Sequence, residues 1–172
     1  MKILLLSILF LSPLWPLGEN PSVGDPYVII NKQSNELAYI DNGQVVKIFD
    51  VATGKNEELT PEGEFTITVK AADPYYRKKN IPGGDPKNPL GTRWIGFDAE
   101  NSDGRTYGIH GTNNEDSIGS FVTQGCVRMY NEEVEILFEH IPIGTKVFIT
   151  KNKKPFEEIA AEKGAMKKGV SQ

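Results

Sequence analysis

Glu36-Leu-Ala-Tyr-Ile-Asp-Asn42-Gly43-Gln-Val-Val-Lys-Ile-Phe-Asp-Val51 reads as two strands joined by a two-residue turn. Asn-Gly tolerates positive φ at both central turn positions, the geometry that matches strand twist. The pattern continues in both directions. Upstream, Tyr27-Val-Ile-Ile-Asn31 is a compact apolar run, followed by a turn at Ser34-Asn35. Downstream, Thr60-Pro-Glu-Gly63 is a second turn, and Glu64-Phe-Thr-Ile-Thr-Val-Lys70 alternates polar with apolar, the signature of a half-buried strand. Arg93–Phe97, Thr106–His110 and Lys146–Thr150 read as further strands. One segment has helical spacing: Asn131 to His140, with Val134, Leu137 and Phe138 on one face, Asn131 as its cap and Pro142 as its stop. Many short strands and one main helix predict a mainly β fold, an antiparallel sandwich or open barrel.

The ends of the 172-residue chain read differently from its middle. Met1-Lys2 precedes an uncharged apolar run from Ile3 to Leu17. That is the pattern of a secretory signal, and it is shorter than the ~20 residues a membrane span needs. Residues 1–18 are therefore expected to be a signal peptide or an N-terminal anchor, which implies an exported protein. A buried N-terminal strand or helix is the alternative. Residues 19–26 read as a linker, 27–150 as the one domain, and 151–172 as a basic, mobile tail with a short helix at 156–163. Without its first 18 residues the chain keeps 18 basic and 23 acidic residues, a net charge of −5. A nucleic-acid binder would show a basic excess instead. From Asp73 to Gly91 the chain is rich in Pro and Gly, with Arg77, Lys78 and Lys79 in a row. Long loops of this kind often serve as lids, and this one is expected to be a flap over a groove.

Cys126 is the only cysteine. An exported chain with one cysteine makes no internal disulfide, so the thiol is a candidate reactive group. His110, Cys126 and Arg128 fall within 19 residues, set among glycines and small polar residues. An imidazole that takes the proton of a thiol turns it into a nucleophile and keeps the thiolate populated. Backbone N–H groups around Gly125 and Cys126 are candidates for an oxyanion hole. Arg128 can hold a carboxylate, or equally form a structural ion pair. His140 lies in the last predicted helical turn, where a cation suits the helix dipole, and it reads as structural. Two histidines and one cysteine give no convincing metal site, and no cofactor motif is present.

These segments resemble the L,D-transpeptidase catalytic domains, also called YkuD-like. The matching motifs are His110-Gly111-Thr112, Ser117-Ile118-Gly119 and Thr123-Gln124-Gly125-Cys126-Val127-Arg128-Met129. Thr60-Pro61-Glu62-Gly63-Glu64-Phe65 and Pro89-Leu90-Gly91 with Trp94 resemble two further family segments. The resemblance runs from about Tyr27 to Thr150. It implies a cell-wall enzyme acting on peptidoglycan stem peptides, with no cofactor. Such enzymes cut after the third residue of a tetrapeptide stem and pass the acyl group from cysteine to an amine, giving a 3→3 cross-link. Some run the reaction as hydrolysis. It further implies Cys126 as nucleophile, His110 as base, and the Gly111 carbonyl as the acceptor that orients His110. Thr123, Gln124, Gly125, Arg128 and Trp94 are the residues expected about the oxyanion and the substrate.

One departure is visible. Many family members carry histidine two residues before the cysteine, where this chain has Gln124. Papain-like and NlpC/P60-like peptidases place cysteine before histidine, the reverse of the order here. Sortases keep the order but with wider spacing, so a sortase-like transpeptidase is the enzymatic alternative. A non-catalytic wall-binding domain is the alternative of another class.

Overall fold

The computed structural model describes residues 19–168, and the signal or anchor expected at 1–18 lies outside the described residues. The strands are β1 (Tyr27–Asn31), β2 (Glu36–Asp41), β3 (Gln44–Asp50), β4 (Thr53–Gly54), β5 (Gly63–Ala72), β6 (Arg93–Phe97), β7 (Tyr107–His110), β8 (Phe121–Thr123) and β9 (Val127–Arg128). Helix α1 (Asn131–His140), strand β10 (Lys146–Thr150) and helix α2 (Phe156–Glu162) follow. Eight strands form one curled sheet, an open half-barrel, in the order β3-β2-β1-β10-β5-β6-β7-β9. Most neighbours are antiparallel, but β1 pairs with β10 and β7 with β9 in parallel. The predicted turn forms as read, with φ of 51° at Asn42 and 72° at Gly43.

Every residue of β1 is buried. The reason is that both faces of this part of the sheet are covered, which favours a continuous apolar run over alternation. On one face Val28 and Ile30 join Leu37, Ile67, Ile95, Ile109, Val127 and Met129 against Val134 and Leu137 of α1. On the other, Tyr27, Ile29, Ala38 and Ile40 pack on Phe156, Ile159 and Ala160 of α2. The segment from Lys151, expected as a mobile tail, is thus packed through its helix. Its apolar residues are few but fall on one helical face, which is enough to cover the sheet. Among the described residues no helix is long and apolar enough to cross a membrane.

Asn131 does not cap α1. Tyr130 holds the cap position, without a side-chain hydrogen bond. At the other end the Lys70 ammonium donates to the carbonyls of Phe138 and Ile141, at 2.5 and 2.8 Å, meeting groups that a helix end leaves open. His140 sits in the last turn of α1, with Nδ1 2.7 Å from the Ile136 carbonyl.

The 73–91 loop is folded on itself. Tyr76 and Ile81 exchange backbone hydrogen bonds of 2.9 and 3.2 Å. The buried Asn88 amide donates to the carbonyls of Pro74 (2.8 Å) and Pro82 (3.1 Å). Strands β1 and β10 end, and β5, β7 and β9 begin, toward the same side of the sheet. Cys126 lies just before β9, on that side.

Candidate active site

Parallel pairing sets Ile109 opposite Val127 and His110 opposite Arg128. One step earlier, the same register brings Cys126 beside Gly108. Residues two apart on a strand share a face, so Gly108, His110, Cys126 and Arg128 all project to one side. The Gly108 N–H faces the Cys126 sulfur. The thiol in turn donates weakly to the Thr106 carbonyl, with Sγ 3.6 Å from the oxygen.

The imidazole of His110 is buried and held on two sides. Its Nδ1 lies 2.6 Å from the Gly111 carbonyl oxygen. A carbonyl only accepts, so Nδ1 carries the proton and Nε2 keeps a free lone pair. Trp94 faces His110 across the β6–β7 ladder and stacks on its ring, with centroids 5.6 Å apart and planes at 15°. The indole N–H donates to the Gly104 carbonyl at 2.9 Å, which fixes the tryptophan. A side chain at Gly108 would meet that indole at 2.7 Å, so glycine is what lets the indole lie there. Trp94, expected at the substrate, is buried behind the imidazole and orients it.

Asn131, released from capping, holds the Gly111 segment. Its Oδ1 accepts from the N–H groups of Thr92 (3.2 Å) and Thr112 (3.1 Å), and its Nδ2 donates to the Thr112 carbonyl (2.9 Å). The carbonyl that sets the His110 tautomer therefore sits on a segment clasped from both sides. No signal in the sequence distinguishes this role from a cap, because both use a short amide beside a helix start.

Burial favours the uncharged form of both groups. Burial depresses the His110 pKa to about 4, with the Arg128 charge acting in the same direction and the Gly111 carbonyl opposing. Burial also pushes the Cys126 thiol up, against the Gly108 N–H and the charges of Lys78 and Arg128. Cys126 keeps some exposure, but its sulfur is enclosed on most sides. Both shifts favour a neutral thiol and a neutral imidazole over a stored thiolate. Lys78, from the 73–91 loop, is near enough for its charge to act on the sulfur.

The loop before Cys126 is pinned by two threonines. Thr123 Oγ1 accepts from the Gly125 N–H at 3.1 Å and donates to the Cys126 carbonyl at 2.6 Å. The Gly125 amide is engaged in this way, so it does not serve the oxyanion role expected of it. Gly125 instead takes φ of 127°, and a Cβ there would lie 2.4 Å from the Leu59 carbonyl, which only glycine allows. Buried Thr60 accepts from the Gly54 N–H at 2.9 Å and donates to the Gly125 carbonyl at 3.1 Å. Lys32, also buried, holds that turn. Its ammonium donates to the carbonyls of Glu57 (2.5 Å) and Thr60 (3.1 Å) and pairs with Glu62 at 3.1 Å. Lys32 was not legible as a site residue, since a lone lysine after a strand carries no spacing. Thr60→Val leaves two buried backbone groups unpaired, and each such loss costs ~1–3 kcal/mol. Urea unfolding is expected to show a loss in that range, and Cys126 alkylation an altered rate. Wild-type values for both would refute the clasp.

Gln124 is exposed, and its side chain makes no hydrogen bond among those described. Arg128 is half-buried with an Nε that lacks a hydrogen-bond partner. Its guanidinium joins no ion pair among the described residues. The site therefore offers a thiol, a fixed imidazole and an uncommitted cation on one face.

Comparison with known proteins agrees with this geometry. The profile of the L,D-transpeptidase catalytic domain, YkuD, matches residues 25–149. YqjB of Bacillus subtilis (strain 168), named as an L,D-transpeptidase, is 62% identical over 167 residues, covering 96% of this chain and 95% of its own. YkuD of the same organism, named likewise, is 37% identical over 136 residues, covering 76% and 73%. Among solved structures, an L,D-transpeptidase of Mycobacterium smegmatis superposes with a TM-score of 0.59 at 16% identity, over 74% of this chain and 59% of that one. That of Stackebrandtia nassauensis gives 0.58 at 20% identity, over 82% and 62%. The chain spans about three-fifths of these two solved proteins, and at such identities the likeness concerns the fold alone. Profile, relatives and architecture agree: the chain belongs to the family of L,D-transpeptidase catalytic domains.

Proposed function

We propose that this protein is a cysteine-dependent L,D-transpeptidase of the exported cell-wall machinery, acting on peptidoglycan stem peptides. The observation that carries the reading is the shared face of Cys126, His110 and Arg128, with the His110 lone pair left free by the Gly111 contact. In this mechanism Cys126 Sγ attacks the carbonyl of the third stem residue. Its proton passes to His110 Nε2 as the S–C bond forms, because neither group is charged at rest. The tetrahedral intermediate expels the amine of the terminal residue, which takes the proton from the imidazolium. An incoming amine then attacks the thioester and gives its proton to His110; the S–C bond breaks, the acyl group leaves on the amine as a 3→3 cross-link, and Cys126 Sγ takes the proton back from the imidazolium. Water in place of the amine gives the carboxypeptidase outcome. The Gly108 N–H that faces the sulfur is a candidate donor to the oxyanion.

Arg128 is assigned to an anionic group of the stem, because no carboxylate of the described chain pairs with it. A fork of donors holds a carboxylate bidentately, which lysine does not match. Loss of such a contact costs ~1.5–3 kcal/mol, a rate loss of roughly ten- to more than a hundredfold. Arg128→Lys is therefore expected to lose turnover at an unchanged melting temperature. Parallel loss of both would make the arginine structural. The whole reading is tested by incubating the protein with a purified disaccharide-tetrapeptide and weighing protein and products by mass spectrometry. An adduct on Cys126 and a cross-linked dimer are expected. Neither adduct, dimer nor trimmed stem would reject the function.

A further inference from the structure

A cavity of about 340 Å³ opens beside the β4–β8 ribbon, on the side of the sheet where β9 begins. Its volume lies at the lower end of small-molecule sites, ~300–1,000 Å³. Phe121 lines it and is 52% exposed, one of several large apolar side chains left open to solvent and the aromatic one at this cavity. Around the ring stand Gln33, Lys55, Asn56 and Lys151. Two of the three lining lysines are paired, Lys151 with Glu57 and Lys32 with Glu62, and Lys55 is left as a free donor among the described residues. The Gln33 side-chain amide and the Lys55 ammonium make no hydrogen bond or ion pair among those described. An exposed aromatic face with amide and ammonium groups on its rim matches the chemistry of a sugar. A pyranose has an apolar C–H face to lay on the ring and hydroxyl and amide groups to meet the rim.

We propose that this cavity holds a sugar of the glycan strand that carries the donor stem. The proposal rests on the peptidoglycan reading above. Chain lengths support it. Phe121 precedes Cys126 by five residues, which span at most ~17 Å even when fully extended. Gly125 bends that path. The three stem residues between the sugar and the scissile carbonyl span ~11 Å when extended. A stem laid along β8 with its third carbonyl at Cys126 would then have its glycan within reach of Phe121. The cavity is also tied to the thiol through the fold, since Thr60 lines it and donates to the Gly125 carbonyl.

The test uses the full chain and two variants, Phe121→Leu and Lys55→Gln. Leucine keeps the apolar strand position and removes only the aromatic face. Peptide-free glycan strands, with the stems removed enzymatically, are titrated against each protein by NMR. In parallel, kcat/KM is measured for a glycan-linked tetrapeptide and for the free tetrapeptide. Phe121→Leu is expected to weaken glycan binding and to lower kcat/KM for the linked donor, each roughly tenfold, the size of one lost aromatic stack. Turnover of the free tetrapeptide should match wild type, which also shows that the Cys126 loop is intact. Lys55→Gln should weaken glycan binding in the same direction. Glycan binding equal in wild type and Phe121→Leu would overturn the proposal, as would equal losses on both donors. If wild type turned over neither donor, the transpeptidase reading would fall, and the glycan titration would still decide the cavity.

Discussion

Cys126→Ala is expected to lower transpeptidation by roughly four orders of magnitude or more, the scale seen when a covalent nucleophile is deleted from a site that otherwise stands. The thiol donates one weak hydrogen bond, to the Thr106 carbonyl, and faces the Gly108 N–H. The strands around it are held by other groups: the Ala52–Arg128 backbone pair, the Thr123 clasp and the Thr60 hydroxyl. Alanine therefore removes the reacting atom and little packing, and the melting temperature should stay close to wild type. Activity is read with the disaccharide-tetrapeptide and folding by circular dichroism on the same preparation. Substantial product from a folded Cys126→Ala protein would exclude Cys126 as nucleophile.

Where the sequence is periodic, the fold was legible. Alternation in Glu64–Lys70 and the Asn42-Gly43 turn correspond to β5 and to the β2–β3 hairpin, and α1 has the predicted bounds. Strands of two or three residues were not legible. β4, β8 and β9 are too short to show a period, and they exist because neighbours supply their partners. They are also the elements that hold the cysteine. The same contrast divides the site. Cys126, His110 and Arg128 stand out by residue type and spacing. The groups that position them are ordinary residues whose role depends on long-range contact. Asn131 lies 19 residues from the Thr112 that it clasps, Lys32 lies 28 from Thr60, and Thr60 lies 65 from Gly125. The protonation state of the pair was not legible for a related reason. Residue identity suggests an ion pair, whereas burial decides the charge, and burial is a property of the folded chain.

That burial has a consequence for stability, and His110→Gln isolates it. The His110 pKa is about 4 in the folded protein, against an ordinary value of 6.5. Between those values the unfolded chain binds the proton and the folded chain does not, so unfolding is favoured as pH falls. The stabilisation is fully present above ~6.5 and is lost as pH drops toward 4. A shift of about 2.5 units corresponds to roughly 3 kcal/mol across that window. Glutamine has no proton to gain. It should lower stability by an amount that depends little on pH, from the lost stacking on Trp94, and it should flatten the slope between pH 4 and 6.5. Carboxylates titrate in the same range, but they are common to both proteins and cancel in the difference. Urea unfolding at half-unit steps from pH 4 to 7.5 gives the two curves. The same substitution removes the proton acceptor of the thiol, and turnover should fall by roughly a hundred- to ten-thousandfold. In the wild-type enzyme the acid limb of kcat/KM should lie near pH 4, well below the range of a solvated histidine. A limb near 6.5, with a stability difference that does not change with pH, would mean that the imidazole is charged or solvated at rest, and the neutral-pair mechanism would have to be abandoned.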